Sequence, residues 1–239
     1  MRRDVIPHKV SILYTVDGSF DTGITALKGQ KLEIYTAAEL ARLRIQAGPE
    51  HSVSTNWSWV GEGYVYMPNG DILIASRKYN PLIPNARAAT KAHREDKEFF
   101  LEDKVAAALR DRAQKDPNEA AQSGVLLLRR KKVMAEYQTN CLADEAVPVF
   151  LFGDQARPYG AFLRAQGISS IPHYIVEVGY AKKQEQAFGR AFAVDGLLGR
   201  SQLSGYYVDL HGVNGRIGGV RSVPAERAAR YVRNVPPVR

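Results

Sequence analysis

A change of residue pattern near position 81, reversed near position 147, constrains this chain more than any other feature. Before it, VSILYTV (10–16) and ILIAS (72–76) are short apolar runs rich in β-branched residues, the composition that suits a pleated, half-buried surface. SVSTNWSWV-GEG-YVYM (52–67) reads as an aromatic hairpin turning on Gly61 and Gly63, and PNGD (68–71) is a turn signal. One short helix interrupts this region: Thr36 and Glu39 make a capping box, Leu40 and Leu43 give it an apolar face, and Gly48-Pro49 ends it. Between 85 and 115 the period changes. Asn85 can cap a helix over 86–114, with Phe100, Leu101, Val105, Ala108 and Leu109 on one side, stopping before Asp116-Pro117.

From residue 147 strand-type runs return. VPVFLFG (147–153) and HYIVEVGY (173–180) read as strands flanking a short helix at 156–166. AFGRAFAV, GYYVDL and RIGGVRSV follow, and a last helix spans 224–234 before Pro236-Pro237. VLLLRRKKVMAEYQ (125–138) fits neither period clearly. The expected fold is therefore mixed α/β (α+β), a single domain over 1–239. Its β-rich N- and C-terminal thirds pack as one sheet system, with a helical insert at about 81–146.

Composition narrows the function classes. Hydrophobic residues make up 45% and charged residues 24% of 239, a globular balance rather than a disordered one. Nowhere do 18 apolar residues run together, so no membrane partner is expected. The apolar run after Arg2 and Arg3 is short and broken by polar residues, and reads as a strand rather than a leader. A lone Cys141 can form no internal disulfide, which fits a cytoplasmic protein. Net charge is +8, and residues 147–239, with 12 basic and 6 acidic side chains, supply most of it.

The motif with the most chemical content is Phe20-Asp21-Thr22-Gly23-Ile24. It would place a carboxylate on a tight turn after a strand, beside a bracing hydroxyl and a glycine that admits close backbone approach. KLEIYTAAELARLRI follows at 31–45, and Leu197-Leu198-Gly199-Arg200 stands near the other end. Together these segments resemble the retropepsin and pepsin clan of aspartic proteases. The resemblance implies Asp21, Thr22 and Gly23 as catalytic residues. It implies Gly61, Gly63 and Tyr64 in a substrate-covering flap, with Leu197, Leu198 and Gly199 lining the substrate site. Because only one Asp-Thr-Gly is present, the carboxylate pair would form across a homodimer, acting on a peptide or protein substrate.

A second reading makes the chain a nucleic-acid-binding or processing protein. The basic C-terminal third is interleaved with Tyr174, Tyr180, Tyr206, Tyr207 and Tyr231, which could stack on bases, and Arg129–Lys132 could meet phosphates. A third is a structural or assembly protein without catalysis. Arg87 and His93 read as surface residues of a helix. His8, His51, His173 and His211 show no metal-ligand spacing, and no phosphate-binding loop or dinucleotide fingerprint occurs, so no cofactor is expected.

Overall fold

The eleven strands among the described residues join one mixed sheet. The structure, a computed structural model, describes residues 2–6, 11–128, 134–197, 201–205, 210–211 and 215–222. Along the chain come β1 (Arg2–Ile6), β2 (Ser11–Asp17), α1 (Phe20–Gly29), α2 (Ala37–Ala47), α3 (Ser52–Thr55), β3 (Ser58–Tyr66) and β4 (Ile72–Ala75). Next are α4 (Ala86–Arg94), β5 (Phe99–Phe100), α5 (Asp103–Arg112), α6 (Pro117–Ser123), β6 (Val125–Leu128) and β7 (Met134–Gln138). The last part holds α7 (Ala146–Phe152), α8 (Ala156–Ala165), β8 (Ser170–Tyr174), α9 (Val178–Ala181), β9 (Phe188–Val194), β10 (Leu203–Ser204) and β11 (Arg216–Ser222).

The strand order is β1-β2-β11-β3-β9-β10-β8-β7, with β4 beside β3, β6 beside β4 and β5 beside β9. β2 and β11 pair antiparallel from Asp17↔Arg216 to Ser11↔Ser222, so strands that are 199 residues apart in sequence at Asp17 and Arg216 lie side by side. Alternation along the strands sorts the core onto two faces. Val60, Tyr64 and Tyr66 of β3, Ile72 and Ile74 of β4, and Phe188, Phe192 and Val194 of β9 share one cluster with α2, α7 and α8. The intervening Trp59, Ala191 and Ala193 pack with Phe20, Ile24 and Leu27 of α1 and Ala86 and Ala89 of α4. Val65, Leu73 and Ala75 pack with Ala106 and Leu109 of α5. Helices therefore cover both faces, and all nine residues of β3 are buried.

The mixed α/β class is as expected, and so are several elements. The Thr36–Glu39 capping box starts α2 and Gly48 ends it. Strands occupy the VSILYTV, ILIAS, AFGRAFAV and RIGGVRSV segments. Four local expectations are corrected. Residues 86–114 are not one helix: α4 ends at Arg94, Asp96 takes φ 54°, and β5 pairs with β9 before α5 begins. The Leu101 amide donates to Ala187 O, and its side chain is buried under β4, so tertiary burial of Leu101 outweighs helical continuity. VPVFLFG is helical, as α7. Its Pro148 lies in the first turn, where no intrahelical donor is lost, and Val147 and Leu151 bury one side. The strand read over 173–180 runs instead from Ser170 to Tyr174 and gives way to α9.

GEG is no hairpin turn either: β3 continues through it in one direction, with a bulge against β9 between Trp59 and Gly63. The region 81–146 carries α4 and α5, and also α6 over Pro117–Ser123, a segment to which the sequence pattern assigns no helix. It also contributes β5, β6 and β7 to the common sheet, which settles VLLLRRKKVMAEYQ as two strands. The GYYVDL strand at 206–209, Arg129–Lys132 and the helix at 224–234 lie outside the described residues.

Candidate ligand-binding groove

β3 pairs with β9 along one edge. On the other edge it meets β11 at Trp59 and β4 from Gly63 to Tyr66. Between these two partners, at Gly61 and Glu62, the edge is forked, and non-strand groups fill the gap. The Gly61 amide donates to Tyr35 O at 2.8 Å, and Asn80 Nδ2 donates to Gly61 O at 3.0 Å. Glu62, 5% exposed, accepts from the Ala37 amide at the start of α2 at 3.0 Å. Burial pushes the Glu62 carboxyl up to about 7, against the opposing pull of that amide and of Arg77.

The segment after β4 lies flat on this fork because glycines leave it room. A methyl group added at Gly61 would sit 2.7 Å from Arg77 Cβ, one at Gly63 2.5 Å from Asn80 Oδ1, and one at Gly189 2.7 Å from Leu82 Cδ1. Asn80 is itself committed, since its Oδ1 also accepts from the Leu82 amide at 3.0 Å. Gly63→Ala must therefore displace a buried side chain that holds two hydrogen bonds. It is expected to cost about 2–3 kcal/mol, read as a lowered midpoint in urea denaturation. A midpoint equal to wild type would show that Asn80 does not pin this loop.

So seated, the 77–85 segment separates and floors two adjoining cavities on the α1/α5 side of the sheet. The first, about 600 Å³, has Pro81, Ile83, Pro84, Val105, Ala108 and Leu109 as its apolar surface and Lys28, Arg77, Lys78, Lys104 and Arg112 as its charged side chains. No Asp or Glu lines it among the described residues. The second, about 590 Å³, adds Ile24, Leu27, Leu32 and Ile34 with one carboxylate, Glu33. Lys28, Arg77, Lys78 and Ile83 belong to both, so the two adjoin across these side chains and are together termed the groove. Arg77 is its fixed cation: Nη1 donates to Ile34 O at 2.8 Å and to Glu39 Oε2 at 2.9 Å, and Nη2 pairs with Glu33 at 3.1 Å. The Arg112 guanidinium lies 4.4 Å over the Tyr79 ring. Such a set of apolar walls with a basic rim has the chemistry to hold a ligand with apolar and anionic groups, and its lining brings together no paired acid and base.

The residues singled out in the sequence lie elsewhere. Asp21 stands in the first turn of α1, not on a strand-end turn, and accepts from Ser19 Oγ at 2.6 Å; Ser19 Oγ also meets Thr22 Oγ1 at 2.8 Å. The Ser19 side chain, at the N-cap, accepts from no amide of the helix, while the Asp21 charge complements the helix N-terminus. Gly23 does allow a close approach, to Ile217 of β11, and so lets α1 lie on the sheet. Gly61 and Gly63 form the fork rather than a flap tip. Tyr64 is fully buried, its hydroxyl 2.5 Å from His173 Nε2, while Tyr137 OH lies 3.2 Å from the other ring nitrogen. Leu197 packs against the main core, and Leu198 and Gly199 lie outside the described residues.

Of the tyrosines considered for base stacking, Tyr174 is half-buried, Tyr180 is exposed, and Tyr206, Tyr207 and Tyr231 lie outside the described residues. Arg87 is exposed, and His93 faces His211 with ring nitrogens 3.1 Å apart. The groove itself is not marked by any motif in the sequence. Its one sequence signal was Gly61 and Gly63 inside an aromatic strand pattern, which marks a close approach as readily as a turn.

Among the described residues no cluster of three or more His, Cys, Asp or Glu side chains could hold a metal ion, and no helix is long and apolar enough to cross a membrane. No family model matches the sequence, and no curated protein does. Among solved structures, one reported for the accommodation of massive sequence variation in Nanoarchaeota by the C-type lectin fold superposes with a TM-score of 0.61. It matches 90% of this chain and 100% of that one at 17% sequence identity. The fold defined by the sheet and its covering helices is thus similar to the C-type lectin fold. This finding overturns the resemblance to the pepsin clan, and with it the peptide-hydrolase activity that the resemblance implied. The homodimer invoked to pair two Asp21 carboxylates loses its rationale at the same point.

Proposed function

We propose that the protein is a ligand-recognition protein whose combining site is the groove between α1, α5 and the 77–85 segment. The observation that carries this reading is the groove's construction. Two adjoining cavities of about 600 and 590 Å³ are walled by elements of the folded core and rimmed by cations, and the loop between them is clamped onto β3. Sites of this size and lining suit a ligand with an apolar body and a few polar groups. Likeness to the C-type lectin fold supports a recognition role by analogy of fold, since the reported neighbour tolerates massive sequence variation on that frame.

Ala108→Trp tests the reading, because position 108 is exposed at the groove wall on α5 and an indole there fills the first cavity. On an array of peptides and glycans, the ligands bound by wild type are expected to be lost by the variant, with an unchanged melting temperature. Binding that survives in a folded Ala108→Trp protein would place the combining site elsewhere.

A further inference from the structure

Resting on the reading of this groove as the combining site, we infer that its occupant is an acidic peptide segment carrying apolar side chains, presented by a partner protein. Charge is the first argument. Lys28 and Lys78, both exposed, make no ion pair among the described residues, and both border the two cavities. Among the described residues Lys104 pairs only with Glu102, and both of those side chains are largely solvent-exposed, a pairing weak enough to be exchanged for a ligand carboxylate. Arg77 has its carboxylates on the side of α2 and Glu33, so the first cavity presents uncompensated positive charge.

The groove surface is the second argument. Ile83, Val105 and Ala108 offer aliphatic surface without hydrogen-bonding side-chain atoms, and Leu109 is buried behind them. Polysaccharide hydroxyls or phosphodiesters laid there would be desolvated without compensation, whereas leucine-like side chains gain by burial. A chain that alternates acidic and apolar residues satisfies both surfaces at once, with apolar side chains down and carboxylates out to the lysine rim. The extent fits as well, because two adjoining cavities need a ligand longer than a single residue.

The test uses the full chain and three short fluorescent peptides: one of leucine and glutamate, one of leucine and lysine, and one of serine and glutamate. Anisotropy titrations are expected to show binding of the leucine–glutamate peptide, weakening as salt rises. Each of the other two should bind at least about tenfold less tightly, and Lys28→Glu with Lys78→Glu together should weaken the first by about tenfold. Both lysines are exposed, so circular dichroism should stay unchanged in that variant. Equal binding of the leucine–lysine peptide, or no binding of any peptide, would overturn the inference. So would dextran sulfate or a single-stranded oligonucleotide that binds as tightly as the leucine–glutamate peptide, since either lacks the apolar part. The Ala108→Trp protein separates the two levels. If it loses binding of whichever probe proves best, the groove stands as the combining site even when the acidic-peptide inference fails. If it keeps that binding, the groove reading itself fails.

Discussion

Arg44→Met is expected to destabilise the protein by about 4 kcal/mol, enough to unfold a large fraction of a marginally stable domain. Arg44 is 0% exposed, and its guanidinium is a junction between α2, α3, α8 and the end of β9. Nε donates to Val53 O at 3.0 Å. Nη1 donates to Tyr159 OH at 2.8 Å and to Asp195 O at 2.7 Å. Nη2 donates to Asn56 O at 3.0 Å and to Val194 O at 3.2 Å. Methionine fills much of the same volume but leaves four carbonyls and a hydroxyl without this donor, and unmade buried bonds are the costly ones. Arg44→Lys keeps the charge but not the planar fork, and should lose less than Met. Urea denaturation of the three proteins decides it. A methionine variant within about 1 kcal/mol of wild type would show that the network is energetically neutral against an apolar replacement, an outcome known for some buried charged groups.

The pH dependence of stability should turn on Glu62. Its carboxyl titrates near 4.5 when unfolded and at about 7 in the folded protein, because burial disfavours the charged form. Since the folded value is raised, the stabilising contribution of the protonated form is fully present below pH 4.5. It is lost as pH rises through 7, a swing of about 3 kcal/mol. Asp195, raised by burial to about 6, acts with the same sign, its contribution disappearing between its ordinary value of 3.8 and 6. Melting temperature should therefore fall between pH 5 and pH 8. Glu62→Gln, which keeps an oxygen to accept from the Ala37 amide but cannot ionise, should flatten most of that fall. It should leave the variant more stable than wild type at pH 8. Parallel melting curves for the two proteins across this range would refute the assignment. Arg77 ties the effect to the groove, for above pH 7 the same guanidinium answers to Glu33, Glu39 and Glu62 together.

The sequence by itself determined what local physics can decide. The Thr36–Glu39 box and Gly48 bound α2 because caps satisfy orphan backbone groups within one turn of the chain. β-branched and aromatic runs became strands, PNGD turned between β3 and β4, and the mixed α/β class followed from their order. Tertiary structure decided whatever depended on partners distant in the chain. Phe99–Leu101 left a helical pattern because β9 offered a strand edge and β4 a core to cover. Val147–Phe152 became a helix because a continuous apolar run is read by the surface it buries, not by its own period.

Asp21, chosen for its neighbours Thr22 and Gly23, proved to be a helix-start residue. A three-residue motif carries no information about the second carboxylate that such chemistry requires. The groove was illegible for the same reason. Lys28, Arg77, Lys104 and Arg112 lie up to 84 residues apart and share a rim only once Gly61 and Gly63 have let the 77–82 segment settle onto the forked edge of β3. Local propensity is written residue by residue. A binding surface is a property of which elements come to lie side by side, and that is set by burial summed over the whole sheet.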